Sequence, residues 1–223
     1  MNPIVLSDEL GEWYPLLKDK VDFKAISLQL GKEVLAHKVY PEATSIFRIF
    51  KELKPSDCRV ILVGNEPYND GQATGIAFGV ESEPIPASLR IIKNEMEVTV
   101  YDSRIANFDY SLMNWVRQGV FLFNTALTVV EGTPNSHSKI WEPFTKAVFE
   151  VLSNYTGLIY VLWGNEAKKL EKLINVKFNH VLTAAHPASE AYRKGSGFFG
   201  CDHFNLINDI IEDQNGKEFK ITW

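Results

Sequence analysis

Four short runs rich in Val, Ile, Leu and Phe set the pattern of this chain: Arg59 to Val63, Val120 to Phe123, Leu158 to Leu162, and His180 to Ala184. Their apolar character is continuous rather than alternating, which suits strands buried on both faces of a parallel sheet. Between them, Ile92 to Val98, Leu112 to Arg117, Pro143 to Leu152 and Glu166 to Leu173 carry apolar residues three and four apart, with polar residues opposite. Asp22 to Leu53 reads as two more helices divided by the break at Val39-Tyr40-Pro41. Strands that alternate with helices need crossover connections, so the pattern predicts an α/β fold with helices covering a parallel sheet.

In open α/β sheets, ligands bind beyond the carboxyl ends of the strands. The polar oddities of this chain fall there: Gly64-Asn65-Glu66-Pro67-Tyr68 after the first run, Asn124 after the second, Trp163-Gly164-Asn165 after the third, and His186-Pro187 after the fourth. Parallel strands would bring a carboxylate, an amide, an imidazole and aromatic rings to one edge. Each residue alone has an ordinary reading, Asn124 as a cap, Glu66 as an exposed turn residue and His186 as the end of a strand. Their joint placement favours a site.

Composition narrows the classes. With 223 residues, 45% hydrophobic and 23% charged, and with glycines and prolines scattered as punctuation, residues 1–223 read as a single domain. The start MNPIVLSDELGEWY has no basic region followed by an apolar core, and no apolar stretch approaches the ~20 residues of a membrane span. The expectation is an intracellular, cytoplasmic protein with no membrane contact; a nuclear or viral setting stays open. Cys58 and Cys201 are too few for a disulfide framework and lack metal-ligand spacing, and Cys201-Asp202-His203 lacks the ligand count of a zinc site. No Gly-x-Ser-x-Gly elbow and no Lys-bearing phosphate loop occurs. A net charge of -5 argues against nucleic acid held over the whole surface, while leaving room for a local basic patch.

One longer stretch, GNEPYNDGQATGIAFGV at 64–80, resembles the GQDPYHGPGQAHGLAFSV segment of the family 1 uracil-DNA glycosylases. The resemblance continues in order through PASLRIIKNEM, WVRQGVFLFNTALTV, NSHSKIWEPFTKAV, VLWGNEAKKL, HPASEAYRKGSGFFGCDHF and the terminal Ile221-Thr222-Trp223, over nearly the full length. It implies a central four-stranded parallel twisted sheet flanked by helices, a monomer working without cofactor or metal, and uracil-containing DNA as the partner. A proteinaceous glycosylase inhibitor is a candidate second partner. The implied reaction is hydrolysis of the bond between uracil and deoxyribose, leaving an abasic site for base excision repair.

Carried over position by position, the resemblance makes Asn124 the reader of the uracil edge, Phe78 the ring on which the base stacks, and Tyr68 the ring that excludes a thymine methyl. His186 would donate a hydrogen bond to the departing uracil oxygen, with the Asn65 N–H nearby. Glu66 would steady the cationic sugar and orient the attacking water. Ser88, Gly164, Asn165 and Ser189 fall where the family grips the DNA backbone, and Lys168, Lys169, Arg193 and Lys194 are candidate additions to a positive face.

The chain departs from the family at sensitive places. Glu66 stands where the family has Asp, and the following loop is one residue shorter, with the family's His unmatched. In the run His186-Pro187-Ala188-Ser189-Glu190 the phosphate-holding hydroxyl is lost at Ala188 and no Leu stands in the wedge position, so Tyr192 or Arg193 becomes the substitute wedge. A weaker wedge predicts a preference for single-stranded DNA. Two other readings stay open: a catalytically weakened glycosylase-like DNA-binding or accessory protein, and an enzyme that excises a different damaged base.

Overall fold

The computed structural model describes residues 6–223; residues 1–5, part of the expected domain and of the leading segment, lie outside it. The two-residue strands β1 (Val39–Tyr40) and β4 (Val129–Val130) pair antiparallel as a small ribbon. The main sheet has β2 (Val60–Gly64), β3 (Val120–Asn124), β5 (Ile159–Trp163) and β6 (His180–Ala184), all parallel in the order β3-β2-β5-β6. All four apolar runs are therefore strands. The last residues of three of them, Gly64, Asn124 and Trp163, belong to the groups expected just beyond the ends.

β2, β3 and β5 are buried throughout, as a strand covered on both faces should be. β6 corrects the expectation. It is the outer strand, and four of its five residues are exposed or half-buried. A run such as His-Val-Leu-Thr-Ala is apolar enough for the interior, but its neighbour count is set by strand order, which the run does not encode.

Helical segments differ at their ends. The turn after Asp109 yields only Met113–Val116, because Leu112 sits at φ +59°, in the left-handed region. Pro143, expected as a helix start, lies inside Ser138–Leu152. Trp141 anchors the turn ahead of it, buried and donating Nε1–H to Thr128 Oγ1 at 2.7 Å. The 166–173 helix divides into an α turn, Asn165–Lys168, and a 3-10 turn, Lys169–Leu173; the three-residue period brings Leu170 and Leu173 onto one side, both packed against the core. Asp22 caps Phe23–Ala36 by accepting from Ala25 N–H, and the break near Tyr40 separates it from Arg48–Glu52.

The buried side chains form one connected cluster around the sheet. Its densest part is aromatic: Trp13 stacks on Phe121 at 4.9 Å, and Phe50 meets Phe121, Phe123 and Phe144 edge-on. Edge-on and offset contacts of this kind contribute about 0.5–1.5 kcal/mol each beyond the area they bury. They pack one face of β3, and the β2–β3 ladder sets Gly64 beside Asn124 at the carboxyl edge. Among the described residues, no helix is long and apolar enough to cross a membrane.

Candidate active site

The loops after β2 and β3 are fastened to each other before they reach the pocket. Asn65 O accepts from Ala126 N–H and Thr125 Oγ1–H, and Asn69 O accepts from Gly132 N–H. Gly64 is small for a steric reason: a Cβ there would lie 2.2 Å from Asn124 Oδ1. Any side chain at 64 would therefore displace the Asn124 amide. Asn124 is 9% exposed and faces a cavity of about 250 Å3.

That cavity gathers Asn65, Glu66, Tyr68, Phe78, Ser88, Asn124 and His186 from four separate chain segments. Phe78 sits at φ +65°, where a residue with a bulky side chain is strained. The conformation is held from three directions: Ala77 N–H bonds Leu122 O, Gly79 N–H bonds Ile76 O, and the Tyr68 hydroxyl donates to Phe78 O. Its ring meets Trp163 edge-on at 5.7 Å and leans against the His186 ring at 5.9 Å. Trp163, fully buried, donates its own Nε1–H to His203 Nδ1.

Tyr68 gives its one proton to Phe78 O, so Ser88 Oγ, 2.9 Å away, donates to the Tyr68 oxygen. Burial pushes the Tyr68 hydroxyl up to about 12, and it stays protonated. Ser88, expected among the DNA backbone contacts, is thus 6% exposed and engaged in the base pocket. Its place in the second position of the helix Ala87–Thr99 leaves its backbone N–H as one of the unpaired donors of the first turn.

Glu66 lines the cavity, and its Oε2 accepts from the N–H of Asn135. Burial raises its pKa, and the Asn135 hydrogen bond opposes the rise. His186 carries a definite tautomer. Its Nδ1 accepts from Ala188 N–H at 3.1 Å, which leaves the ring proton on Nε2. Burial lowers its pKa, in keeping with a neutral ring. Gly164 makes room for it: at φ +88° a Cβ there would approach His186 Cβ to 2.9 Å.

A second groove of about 640 Å3 opens on the other side of His186, lined by Gly164, Asn165, Lys168, Ser189, Tyr192 and Arg193 among others. Tyr192 is 91% exposed, at the tip of the loop. Ser189 and Ala188 are committed to the loop itself. The Ser189 hydroxyl donates to His186 O, and the Ala188 N–H to His186 Nδ1. Lys169, unlike Lys168, faces away from this groove.

Sequence reasoning missed three supports. Asn135 fixes the Glu66 carboxylate, and the NSHSKIW segment it opens was the available signal. Glu190 reads in the sequence as a surface acid, yet is 5% exposed and accepts from the N–H groups of Gly195, Gly197, Phe198 and Phe199. Hydrogen bonding, from the Phe198 N–H foremost and then from Ser196 and the Phe199 N–H, holds its pKa down at about 2 against the opposing effect of burial. Glu95, from the helix Ala87–Thr99, binds the next stretch through Gly200 and Asp202 N–H. No local pattern announces either partner set. No group of three or more His, Cys, Asp or Glu able to hold a metal occurs among the described residues.

Comparison with known proteins agrees with this geometry. A profile of the Uracil DNA glycosylase superfamily matches residues 50–212. The uracil-DNA glycosylase of Francisella philomiragia is 39% identical over 204 residues, 89% of this chain and 92% of that one. That of Buchnera aphidicola subsp. Acyrthosiphon pisum is 40% identical over 211 residues, 92% and 93%. A crystal structure of a mimivirus UNG point variant in complex with UGI superposes with a TM-score of 0.89 at 27% identity, covering 99% of this chain and 91% of the other.

Proposed function

The chain belongs to the uracil-DNA glycosylases, and from that premise we propose how its own residues divide the work of releasing uracil from DNA. The enzyme hydrolyses the N-glycosidic bond of deoxyuridine in DNA and leaves an abasic site, a step of base excision repair. The bond is out of reach in a stacked duplex, so the nucleotide is first turned out.

Inside the pocket, Asn124 reads the uracil edge with one donor and one acceptor, a pattern that cytosine inverts. Gly64 is what leaves the amide room to do so. Uracil stacks on Phe78, whose strained backbone sets the ring plane. Tyr68 rejects the thymine methyl by overlap, and Ser88 braces its hydroxyl.

As the bond breaks, negative charge grows on uracil and positive charge on the sugar. A neutral His186 with its proton on Nε2 donates to the uracil oxygen, assisted by the Asn65 N–H. Glu66, ionised, stabilises the sugar cation and orients water. Its extra methylene relative to Asp is accommodated by the shorter 68–71 loop, with Asn135 fixing one carboxylate oxygen. The observation that carries this reading is the Ala188 N–H bond to His186 Nδ1, which aligns the one catalytic proton with the cavity that also holds Glu66, Phe78 and Asn124.

Backbone phosphates are held by Gly164 and Asn165 and by the first-turn N–H groups at Ser88, contacts that position the strand without reading sequence. Tyr192, flanked by Arg193, fills the space of the extruded base. Ala188 and Ser189 serve this grip indirectly, by holding His186. A proteinaceous inhibitor is a candidate second partner, a mimivirus UNG variant having been solved in complex with UGI.

The test is alkali-sensitive abasic-site formation in a single-stranded oligonucleotide with one uracil. Wild type is expected to cleave, and Glu66→Gln to lose about 10²–10⁴-fold in rate, the range for removing a positioned acid–base group. Equal rates for the two proteins would remove Glu66 from the mechanism. No excision by folded wild type would leave the DNA-binding reading in its place.

A further inference from the structure

Next to the base pocket, and sharing its Asn65 wall, lies a groove of about 280 Å3 between the helix Ser138–Leu152 and the 165–173 segment. Asn135, whose N–H holds Glu66, lines it as well. The groove therefore abuts the catalytic pocket across a shared residue. Lys139, Lys146, Lys169 and Lys172 line it, together with the apolar Leu170 and Leu173.

Only two carboxylates face these four ammonium groups. Glu142 pairs with Lys146 at 2.6 Å and Glu166 with Lys169 at 2.7 Å. Lys139 and Lys172 form no ion pair among the described residues, in a chain whose net charge is -5. Such a concentration of positive charge in a concave, partly apolar site is unfavourable in isolation and attracts an anion. The 165–173 segment presents Lys168 on its other flank, to the groove holding Tyr192 and Arg193. It forms a ridge with cations on both sides, starting at Gly164-Asn165.

We propose that this groove is a second strand-binding site, which holds the DNA beyond the extruded nucleotide. Lys139 and Lys172 take backbone phosphates, and Leu170 and Leu173 give a flanking base an apolar surface. Cationic rims over apolar floors bind single strands without sequence preference. The proposal rests on the chain acting on a DNA strand and extends that reading past the one-nucleotide pocket. It accounts for how an acidic protein retains a long, charged substrate.

The test uses the double variant Lys139→Ala/Lys172→Ala and its charge-reversed counterpart Lys139→Glu/Lys172→Glu. All four changes are at exposed side chains. Binding is read by fluorescence anisotropy with a uracil-free single strand, and excision with two substrates, a uracil-centred trinucleotide and a longer strand. The alanine pair is expected to flatten the slope of log K against log salt by about 1.4, at about 0.7 per lost phosphate contact on a single strand. On the longer strand at low salt, kcat/KM should fall about tenfold, and further with charge reversal. Trinucleotide excision should stay at the wild-type rate. An unchanged salt slope, or an equal loss on both lengths, would overturn the proposal. Wild-type excision of the trinucleotide depends on the base pocket alone, and anisotropy reads the groove without chemistry, so failure of one reading is separable from failure of the other.

Discussion

At the scale of single residues, the site runs on two groups whose environments move them in opposite directions. Burial lowers the pKa of His186 from the ordinary 6.5 and raises that of Glu66 from the ordinary 4.5. In the proposed roles the functional states are a neutral imidazole and an ionised carboxylate, so both are lost on the acid side. For stability the signs differ. The neutral fold of His186 is fully favourable above 6.5 and loses ground as pH falls toward its lowered value, while burial of ionised Glu66 is a cost that acid relieves. The expected pH–rate profile falls on an acid limb above 4.5. In Glu66→Gln the residual rate should keep only the His186 limb, lying below 6.5. A remaining limb centred at or above 6.5 would contradict the tautomer and burial described for His186. Much of this was legible in the sequence, because Asn65, Glu66, Tyr68, Asn124 and His186 stand at or just after strand ends and need only parallel topology to meet, whereas Phe78 lies well past the end of β2 and was found only through the resemblance. The roles of Ser88, Ala188 and Ser189 were less legible. Their groups turn inward to Tyr68 and His186, a choice made by three-dimensional neighbours rather than by spacing.

At the scale of elements, continuous apolar runs identified all four strands, and the crossover rule gave their parallel sense. What they could not give was order. β6 is an exposed edge, and the β1–β4 ribbon is only two residue pairs long, too short for any alternation to register. The loop from Ala188 to Asp202 shows the same division. Its length is read directly, but its shape is fixed by the carboxylates of Glu190 and Glu95 reaching six backbone N–H groups. The depressed pKa of Glu190 means that its support is complete above the ordinary carboxylate value of 4.5 and is lost as pH falls through about 2. Glu190→Ala should open the loop at neutral pH. Trypsin would then cut at Arg193 and Lys194, while the thermal transition of the sheet moves little. Glu190→Gln should resist better, because one amide oxygen can keep the acceptor role that Oε1 plays toward Gly197, Phe198 and Phe199. Equal protease resistance in all three proteins would deny Glu190 this role.

At the scale of the whole molecule, the proposed chemistry lies at the carboxyl edge of one sheet, and the proposed wedge, Tyr192, on a loop beside it. Tyr192 stands almost fully in solvent, so in the proposed wedge role it is one ring with little packing behind it. Single-stranded substrate should therefore be preferred, and Tyr192→Ala should lower duplex excision several-fold more than single-strand excision. An equal loss on both substrates, or faster duplex turnover by wild type, would mean that another side chain acts as the wedge. The same architecture places one of the chain's five tryptophans directly behind the ring assigned to stack the base. Trp163 is sealed from water, fixed through His203, and meets Phe78 edge-on. If the proposed stacking on Phe78 holds, the molecule contains its own optical gauge: a base arriving on that ring would alter the electronic surroundings of one immobile indole, and occupancy would be read as a change in emission with no dye attached.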